Sequence, residues 1–155
     1  LARLPAGQVQ TINIAEVIRS SVLIFENRGN ITFRNRIYEN EIFVSGDHDQ
    51  CLRVFNNLFT NSVHALQDTD EPWIEISRLI KDETVVIQVR DNGSGIGEDL
   101  RDKIFMPNFT TKSAGSGLGL AMVKNIMESF GGRIWFESEK GFGTSFYLEF
   151  QRVKV

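Results

Sequence analysis

The order in which helical and strand-like patterns follow one another is the feature that most constrains the fold of this chain. Apolar residues recur with helical spacing over about 14–27, 49–67 and 117–130. Runs typical of strands occupy about 30–38, 42–45, 73–80, 83–90, 133–138 and 144–153. Because these strands do not alternate strictly with helices, the sequence predicts an α+β fold. We expect a two-layer sandwich, with a mixed sheet of about five strands and about three helices on one face.

Composition narrows the class of protein further. A length of 155 residues suits one domain, and 41% hydrophobic with 24% charged residues is ordinary for a soluble globular protein. The formal net charge of -3 gives no basic field for nucleic acid. The only cysteine, Cys51, excludes an internal disulfide and suits a reducing compartment, so we expect a cytoplasmic location. No signal peptide is visible, and no apolar run approaches the roughly 20 residues that span a membrane.

Two asparagines on one helix face are the first candidate ligands. On the helix predicted over 49–67, Asn57 and Asn61 lie one turn apart on a narrow polar stripe that also carries His64. Such a stripe is commonly a solvated helix face. Asparagine is a mediocre helix former, however, so a stacked pair in mid-helix calls for a reason. An amide oxygen that coordinates Mg²⁺ alongside phosphates and water is one such reason.

Two glycine-rich motifs follow. Asp91-Asn92-Gly93-Ser94-Gly95-Ile96-Gly97 comes directly after a predicted strand, where a carboxylate can accept a hydrogen bond from an exocyclic amine and glycines let backbone approach a flat ring. The alternative is a plain turn. Ala114-Gly115-Ser116-Gly117-Leu118-Gly119-Leu120 leads into a helix, as a phosphate cradle or a flexible helix entry would. Leu120 excludes the dinucleotide fingerprint, and no P-loop or eukaryotic-type kinase signature occurs.

The segment between them, 105–113, carries two phenylalanines, a basic residue and hydroxyls. It suits a lid that folds over a ligand, or alternatively a hydrophobic anchor for a long loop.

Together these motifs resemble the ATP-binding catalytic domain of sensor histidine kinases, in the Bergerat-fold superfamily that also contains gyrase, Hsp90 and MutL. Each motif alone is modest evidence, but five in register are highly specific. The resemblance extends over roughly 12–150, and its segments are the N box at 57–62, the G1 box at 91–96, the F box at 104–112, the G2 box at 115–120 and the closing Gly-x-Gly-Thr at 141–144.

The resemblance implies ATP and Mg²⁺ as cofactors. It makes Asn61 the metal ligand and, with Asn57, the catalytic pair; Asp91 would hold the adenine amino group, and Thr144 would support the adenine side through water. The other implied nucleotide-binding positions are His64, Gly93, Gly95, Ile96, Phe109, Thr110, Thr111, Lys112, Gly115, Ser116, Gly117, Leu118, Gly119 and Leu120.

Three positions depart from the family pattern. Asn108 stands where many relatives carry a second phenylalanine, so the packing of the lid is expected to differ. Ser62 replaces a usual alanine, which we expect to be a small change. His64 stands where relatives often carry a basic side chain, so it could contact phosphate when protonated or as a neutral donor.

Asn57 also bears on the reaction. The related ATPases carry at this position a glutamate that activates water, and an asparagine cannot act as a base. The resemblance therefore implies transfer of the γ-phosphoryl group to a histidine rather than hydrolysis. An ATPase or chaperone-like clamp and a non-catalytic nucleotide sensor are the alternatives. A serine-directed kinase of the same fold is disfavoured by the long F box and the linker-like N-terminus.

Neither His48 nor His64 has the surroundings of a phosphoacceptor helix. We therefore expect 1–12 to be the remnant of a linker from a missing dimerisation and phosphoacceptor domain, and 13–155 to be the ATP-binding domain. The isolated chain would be a monomer that binds ATP and autophosphorylates poorly. The full-length protein would be a homodimer, with an inner-membrane anchor compatible with the resemblance, and would serve a response regulator.

Overall fold

The computed structural model describes residues 8–107 and 119–155 of the chain. The elements are, in chain order, β1 (Gln10–Asn13), α1 (Ile14–Phe25), β2 (Thr32–Asn35), β3 (Phe43–Gly46), α2 (His48–Ala65), β4 (Trp73–Ile80), β5 (Thr84–Asp91), a 3-10 turn (Glu98–Leu100), α3 (Gly119–Ser129), β6 (Arg133–Glu139) and β7 (Gly143–Gln151). The predicted α+β class and the three helices are confirmed within this part of the chain.

The main sheet has five strands in the order β2-β4-β5-β7-β6. Strands β2 and β4 pair in parallel, while the other neighbouring pairs are antiparallel, so the sheet is mixed as predicted. Strands β1 and β3 form a separate antiparallel pair beside it. The β4–β5 and β6–β7 hairpins place the ends of β5, β6 and β7 close together, and these ends form one wall of the site described below.

The three helices pack on one face of the main sheet. Helix α2 contacts both α1 and α3 and therefore lies in the middle of the helical layer. Its side chains Phe55, Leu58 and Phe59 are fully buried, and Phe59 meets Phe25 of α1 edge to face at 5.7 Å between ring centroids. Burial of large aromatic and aliphatic side chains of this kind is the main force holding the two layers together.

The start of α1 shows one difference from the sequence prediction. Asn13 does precede the helix, but its side chain does not cap it. Its Nδ2 donates to the carbonyl of Asn40 and its Oδ1 accepts from the amide of Ile42, both at 3.0 Å. Asn13 with Glu16 three residues later is the sequence pattern of a capping box, which predicts that the two side chains close the start of the helix. That prediction is wrong, because these tertiary partners compete successfully for the Asn13 side-chain amide.

Strand β1 was not predicted either. It has only 4 residues, of which Ile12 alone is buried, so it carries too little pattern to be recognised before its partner β3 is known. Residues 10–12 of the expected linker remnant belong to this strand. None of the helices in residues 8–107 and 119–155 combines the length and the hydrophobicity that a bilayer crossing requires.

Candidate functional site

Asp91 is a buried carboxylate at the end of β5. Its side chain Oδ1 accepts a hydrogen bond from the Gly93 amide at 2.9 Å, and Oδ2 accepts one from the Ser62 hydroxyl at 3.0 Å. The residue is only 3% exposed, and it lies opposite Thr144 of β7 in the sheet register. The carboxylate is thus held in one orientation by α2 and by its own loop.

Burial raises the pKa of Asp91, while hydrogen bonds from the Gly93 backbone, the Ser62 hydroxyl and the Thr144 backbone lower it in part. An ionised carboxylate offers about four lone pairs, and these three protein donors leave room for one more donor. The site is therefore suited to a ligand that presents an N–H group and no negative charge at this point.

The glycines after Asp91 allow the loop to pack directly on protein backbone. A Cβ on Gly93 would lie 2.6 Å from the Ala65 carbonyl oxygen at the end of α2, which also accepts from the Ser94 amide at 3.0 Å. Gly95 has φ of +76°, and a Cβ there would lie 2.3 Å from the Glu139 carbonyl oxygen of β6. The structure thus gives both glycines a packing role inside the protein, and their contact with a nucleotide stays a prediction.

Ser138 of β6 links the loop to the β6–β7 turn, and sequence reasoning missed it. Its hydroxyl accepts from the Ile96 amide at 2.7 Å and donates to the Gly143 carbonyl at 3.0 Å. The Thr144 hydroxyl lies 2.7 Å away. Since a serine hydroxyl has one proton, Thr144 donates to Ser138 and keeps its own lone pairs available. No motif marks Ser138; only the pairing of β6 with β7 brings it here.

The beginning of the F box is anchored to the same strand. The Arg101 guanidinium donates to the Ser138 carbonyl at 3.1 Å and lies over the Phe136 ring, 5.0 Å from its centroid. The Phe105 ring meets the same ring edge to face at 5.9 Å. These contacts favour the anchoring interpretation for Phe105, in place of an exposed lid residue.

The N-box asparagines lie on α2, close to the start of α3. Asn61 Nδ2 is 3.5 Å from Asn57 Oδ1, at the limit of a hydrogen bond. A Cβ on Gly119 would lie 2.6 Å from both amide atoms of Asn57, so Gly119 must lack a side chain for this contact. His64 Nδ1 is buried without a hydrogen-bond partner in the described part of the chain.

The structure therefore brings together most of the predicted site residues that it describes. Helix α2 supplies Asn57, Asn61 and His64. It contacts the end of β5 through Ser62 and the following loop through Ala65. The start of α3, with Gly119 and the half-buried Leu120, lies against the same helix. The remaining predicted positions lie outside the described residues: Asn108, Phe109, Thr110, Thr111, Lys112, Gly115, Ser116, Gly117 and Leu118.

The side chains in the site indicate which kind of metal ion it could bind. In residues 8–107 and 119–155, no group of three or more His, Cys, Asp or Glu side chains could hold a metal ion. The neutral amides of Asn57 and Asn61 suit Mg²⁺, which typically takes one or two protein oxygens and completes its octahedron with phosphate and water. These residues thus fit a metal that arrives with a polyphosphate, and not a metal bound by protein alone.

Comparison with known proteins supports the same assignment. Residues 46–154 match the family described as histidine kinase-, DNA gyrase B-, and HSP90-like ATPase. Sensor histidine kinase ZraS of Salmonella typhimurium is 36% identical over 143 residues, which are 90% of this chain and 30% of ZraS. Sporulation kinase A of Bacillus subtilis is 33% identical over 144 residues, which are 91% of this chain and 23% of that kinase.

The fold leads to the same group of proteins. The solved catalytic domain of histidine kinase ThkA superposes with a TM-score of 0.81 at 33% identity, covering 93% of this chain and 95% of that domain. The chain spans about 30% of the length of ZraS and less of sporulation kinase A. The resemblance predicted from the five motifs is confirmed: the chain belongs to the family of histidine kinase-, DNA gyrase B- and HSP90-like ATPases, and it corresponds to the catalytic domain of sensor histidine kinases.

Proposed function

We propose that this chain binds Mg²⁺-ATP and donates the γ-phosphoryl group to a histidine on a separate domain of the same protein. The observation that carries the proposal is the environment of Asp91. A fixed, buried carboxylate with one acceptor position to spare is the group that selects the exocyclic amine of adenine. The amides of Asn57 and Asn61 belong to the same helix as Ser62, which bonds to Asp91, and we propose that they hold the phosphate end of the nucleotide.

The chain's own residues would act by position. Asp91 accepts from the adenine amine, and Thr144 supports that side through a water, for which its hydroxyl keeps free lone pairs. Asn61 and Asn57 hold the metal–phosphate end, and His64 donates to a phosphate oxygen. The metal, when bound with the nucleotide, supplies neutralisation of the charge on the phosphoryl oxygens.

Transfer to a protein nucleophile is favoured over hydrolysis. An asparagine amide cannot take a proton from water, and Asn57 is engaged with Asn61 and packed against Gly119. In phosphoryl transfer, positioning and charge neutralisation account for most of the rate, so a general base for water is not required.

The acceptor is proposed to lie outside the 155 residues. Of the two histidines, His48 is the first residue of α2, with its ring 3.3 Å from the Asp49 carboxylate, and His64 lies in the site. We expect the isolated chain to be monomeric and the whole protein to be a homodimer that phosphorylates a response regulator. The domain would lie in the cytoplasm whether or not the whole protein is anchored in the inner membrane.

Calorimetric titration tests this proposal. ATP and ADP should bind in the presence of Mg²⁺, and GTP should bind far more weakly. Asp91→Asn should lower ATP affinity about tenfold or more, because a hydrogen bond to a charged acceptor contributes roughly 1.5–3 kcal/mol. Asp99→Asn is the matched control, since it removes the same charge at an exposed position nearby. Equal ATP affinity in the parent and Asp91→Asn would refute the adenine assignment.

Turnover separates the remaining alternatives. The isolated chain should show no appreciable steady-state release of phosphate from ATP and no stable label from γ-labelled ATP. Rapid phosphate release would favour the ATPase alternative. Nucleotide binding that does not depend on Mg²⁺ would favour a non-catalytic sensor.

A further inference from the structure

The hydroxyl of Ser62 is buried in the site and bonded to Asp91. The resemblance to the family predicted only a small change from alanine, yet the Ser62 side chain is 2% exposed and its one proton goes to Asp91 Oδ2 at 3.0 Å. We propose that Ser62 determines the base specificity of the site: by donating to Asp91, it holds that carboxylate as an acceptor that takes a 6-amino purine and rejects a 6-oxo purine. The inference rests on the nucleotide-binding function proposed above.

The chemistry depends on the protonation of Asp91. An ionised carboxylate only accepts hydrogen bonds, so it attracts the amino group at C6 of adenine and repels the carbonyl oxygen at C6 of hypoxanthine or guanine. A protonated carboxyl carries an O–H donor and can bind that carbonyl oxygen instead. Discrimination between the two bases therefore requires that Asp91 stays charged in a buried setting.

Ser62 is the side chain that favours the charged form. Burial raises the pKa of Asp91, and among the described residues the groups that oppose this rise are the backbone of Gly93, the hydroxyl of Ser62 and the backbone of Thr144. The two backbone donors come with the fold of the loop and of β7. Ser62, on α2, is therefore the donor that a single substitution can remove.

The groups that hydrogen-bond to Asp91 within the described part of the chain are all uncharged. They are Ser62 from α2, Gly93 from the following loop and Thr144 from β7. The titratable group nearest along α2 is His64, two residues beyond Ser62. His64 is unchanged in every variant used below, so any contribution it makes to binding is common to all of them when they are compared at the same pH.

The test measures binding of ATP and of inosine triphosphate, which carries a carbonyl in place of the 6-amino group, with Mg²⁺ at pH 5.5 and pH 8. The parent should prefer ATP at both values. Ser62→Ala should lower the ratio of ATP affinity to inosine triphosphate affinity by roughly tenfold at pH 5.5, because one hydrogen bond to a charged group contributes about that factor. The decrease should be smaller at pH 8. Ser62→Thr, which keeps a hydroxyl, should restore the ratio.

Ser21→Ala is the matched control. Ser21 is also a fully buried serine, but its hydroxyl is bonded to the Asn56 side chain between α1 and α2. Its loss should leave the ratio at the parent value even if the melting temperature falls. If Ser62→Ala disturbs folding, Ser62→Cys takes its place in the test. Cysteine is close to serine in volume but is a weak hydrogen-bond donor, so this variant should also lower the ratio.

The outcomes distinguish this inference from the function on which it rests. If the parent selects ATP but folded Ser62→Ala keeps the parent ratio at both pH values, Ser62 does not determine specificity, while the proposed function stands. If the parent binds neither nucleotide, the proposed function fails and this inference fails with it. The inference about Ser62 is also overturned if Ser21→Ala lowers the ratio of ATP affinity to inosine triphosphate affinity as much as Ser62→Ala does.

Discussion

Substituting alanine for Gly93 is the sharpest test of how the site is built. The added Cβ would lie 2.6 Å from the carbonyl oxygen, 2.8 Å from the carbonyl carbon and 2.9 Å from the Cβ of Ala65. Favourable contacts between carbon atoms lie at about 3.5–4.0 Å, so the loop must move away from α2 by nearly 1 Å. Two of these three atoms belong to helix backbone and cannot rotate aside.

The cost has two parts. Overpacking of this kind typically costs about 1–3 kcal/mol. The same movement strains the hydrogen bond from the Ser94 amide to Ala65 and the one from the Gly93 amide to Asp91, and each such bond contributes about 1 kcal/mol. We therefore expect Gly93→Ala to lower the free energy of unfolding by about 2–4 kcal/mol. We also expect weaker ATP binding, because the Asp91 carboxylate loses its orientation.

Urea denaturation followed by circular dichroism measures the change, and Gly97→Ala is the control in the same loop. A Cβ on Gly97 would lie 2.8 Å from Asp99 Oδ1, the mobile end of an exposed side chain that can rotate away. This control should remain within about 0.5–1 kcal/mol of the parent. If Gly93→Ala and Gly97→Ala unfold at the same urea concentration, the steric reasoning about Gly93 is wrong.

Three further predictions follow from the site. First, because burial raises the pKa of Asp91 above its unfolded value, its contribution to stability is fully present below the unfolded pKa and is lost as pH rises through the folded pKa. The neutral side chain of Asp91→Asn should abolish this loss, so urea titrations from pH 3 to pH 8 should show the variant gaining stability relative to the parent as pH rises; a constant difference would contradict this. Second, Asn61→Ala should weaken Mg²⁺-ATP binding by about tenfold and metal-free ATP by much less, as measured by calorimetry, if its amide is a metal ligand; equal losses would remove that role. Third, Ser138→Ala should cost about 1–3 kcal/mol and weaken ATP binding, because the Ile96 amide loses its side-chain acceptor and the Gly143 carbonyl loses a donor. Ser129→Ala, which removes one bond to a helix carbonyl, should cost less and leave binding unchanged.

The fold was largely predictable from local patterns. The apolar residues of α2 recur at helical spacing, and those of β5 alternate, so both elements were recognised to within about two residues, the usual accuracy of such boundaries. Strand β1 was not predicted, because its pairing partner, β3, begins 30 residues beyond the end of β1 at Asn13. The hydrogen bonds of the Asn13 side chain were not predicted for the same reason, since its partners lie on the loop before β3.

The sequence by itself determined the order of the three helices and of the strands β2 to β7, the family and the residue types that a nucleotide site needs, because these reside in periodicity and short motifs. Only the tertiary structure decided which groups touch. It gave Ser62 a bond to Asp91, placed Ser138 between the Ile96 loop and the β6–β7 turn, and set Gly93 against the end of α2. The physical reason is that each contact joins segments far apart in sequence, so its geometry depends on the packing of α2 against the sheet and on the register of β5, β6 and β7.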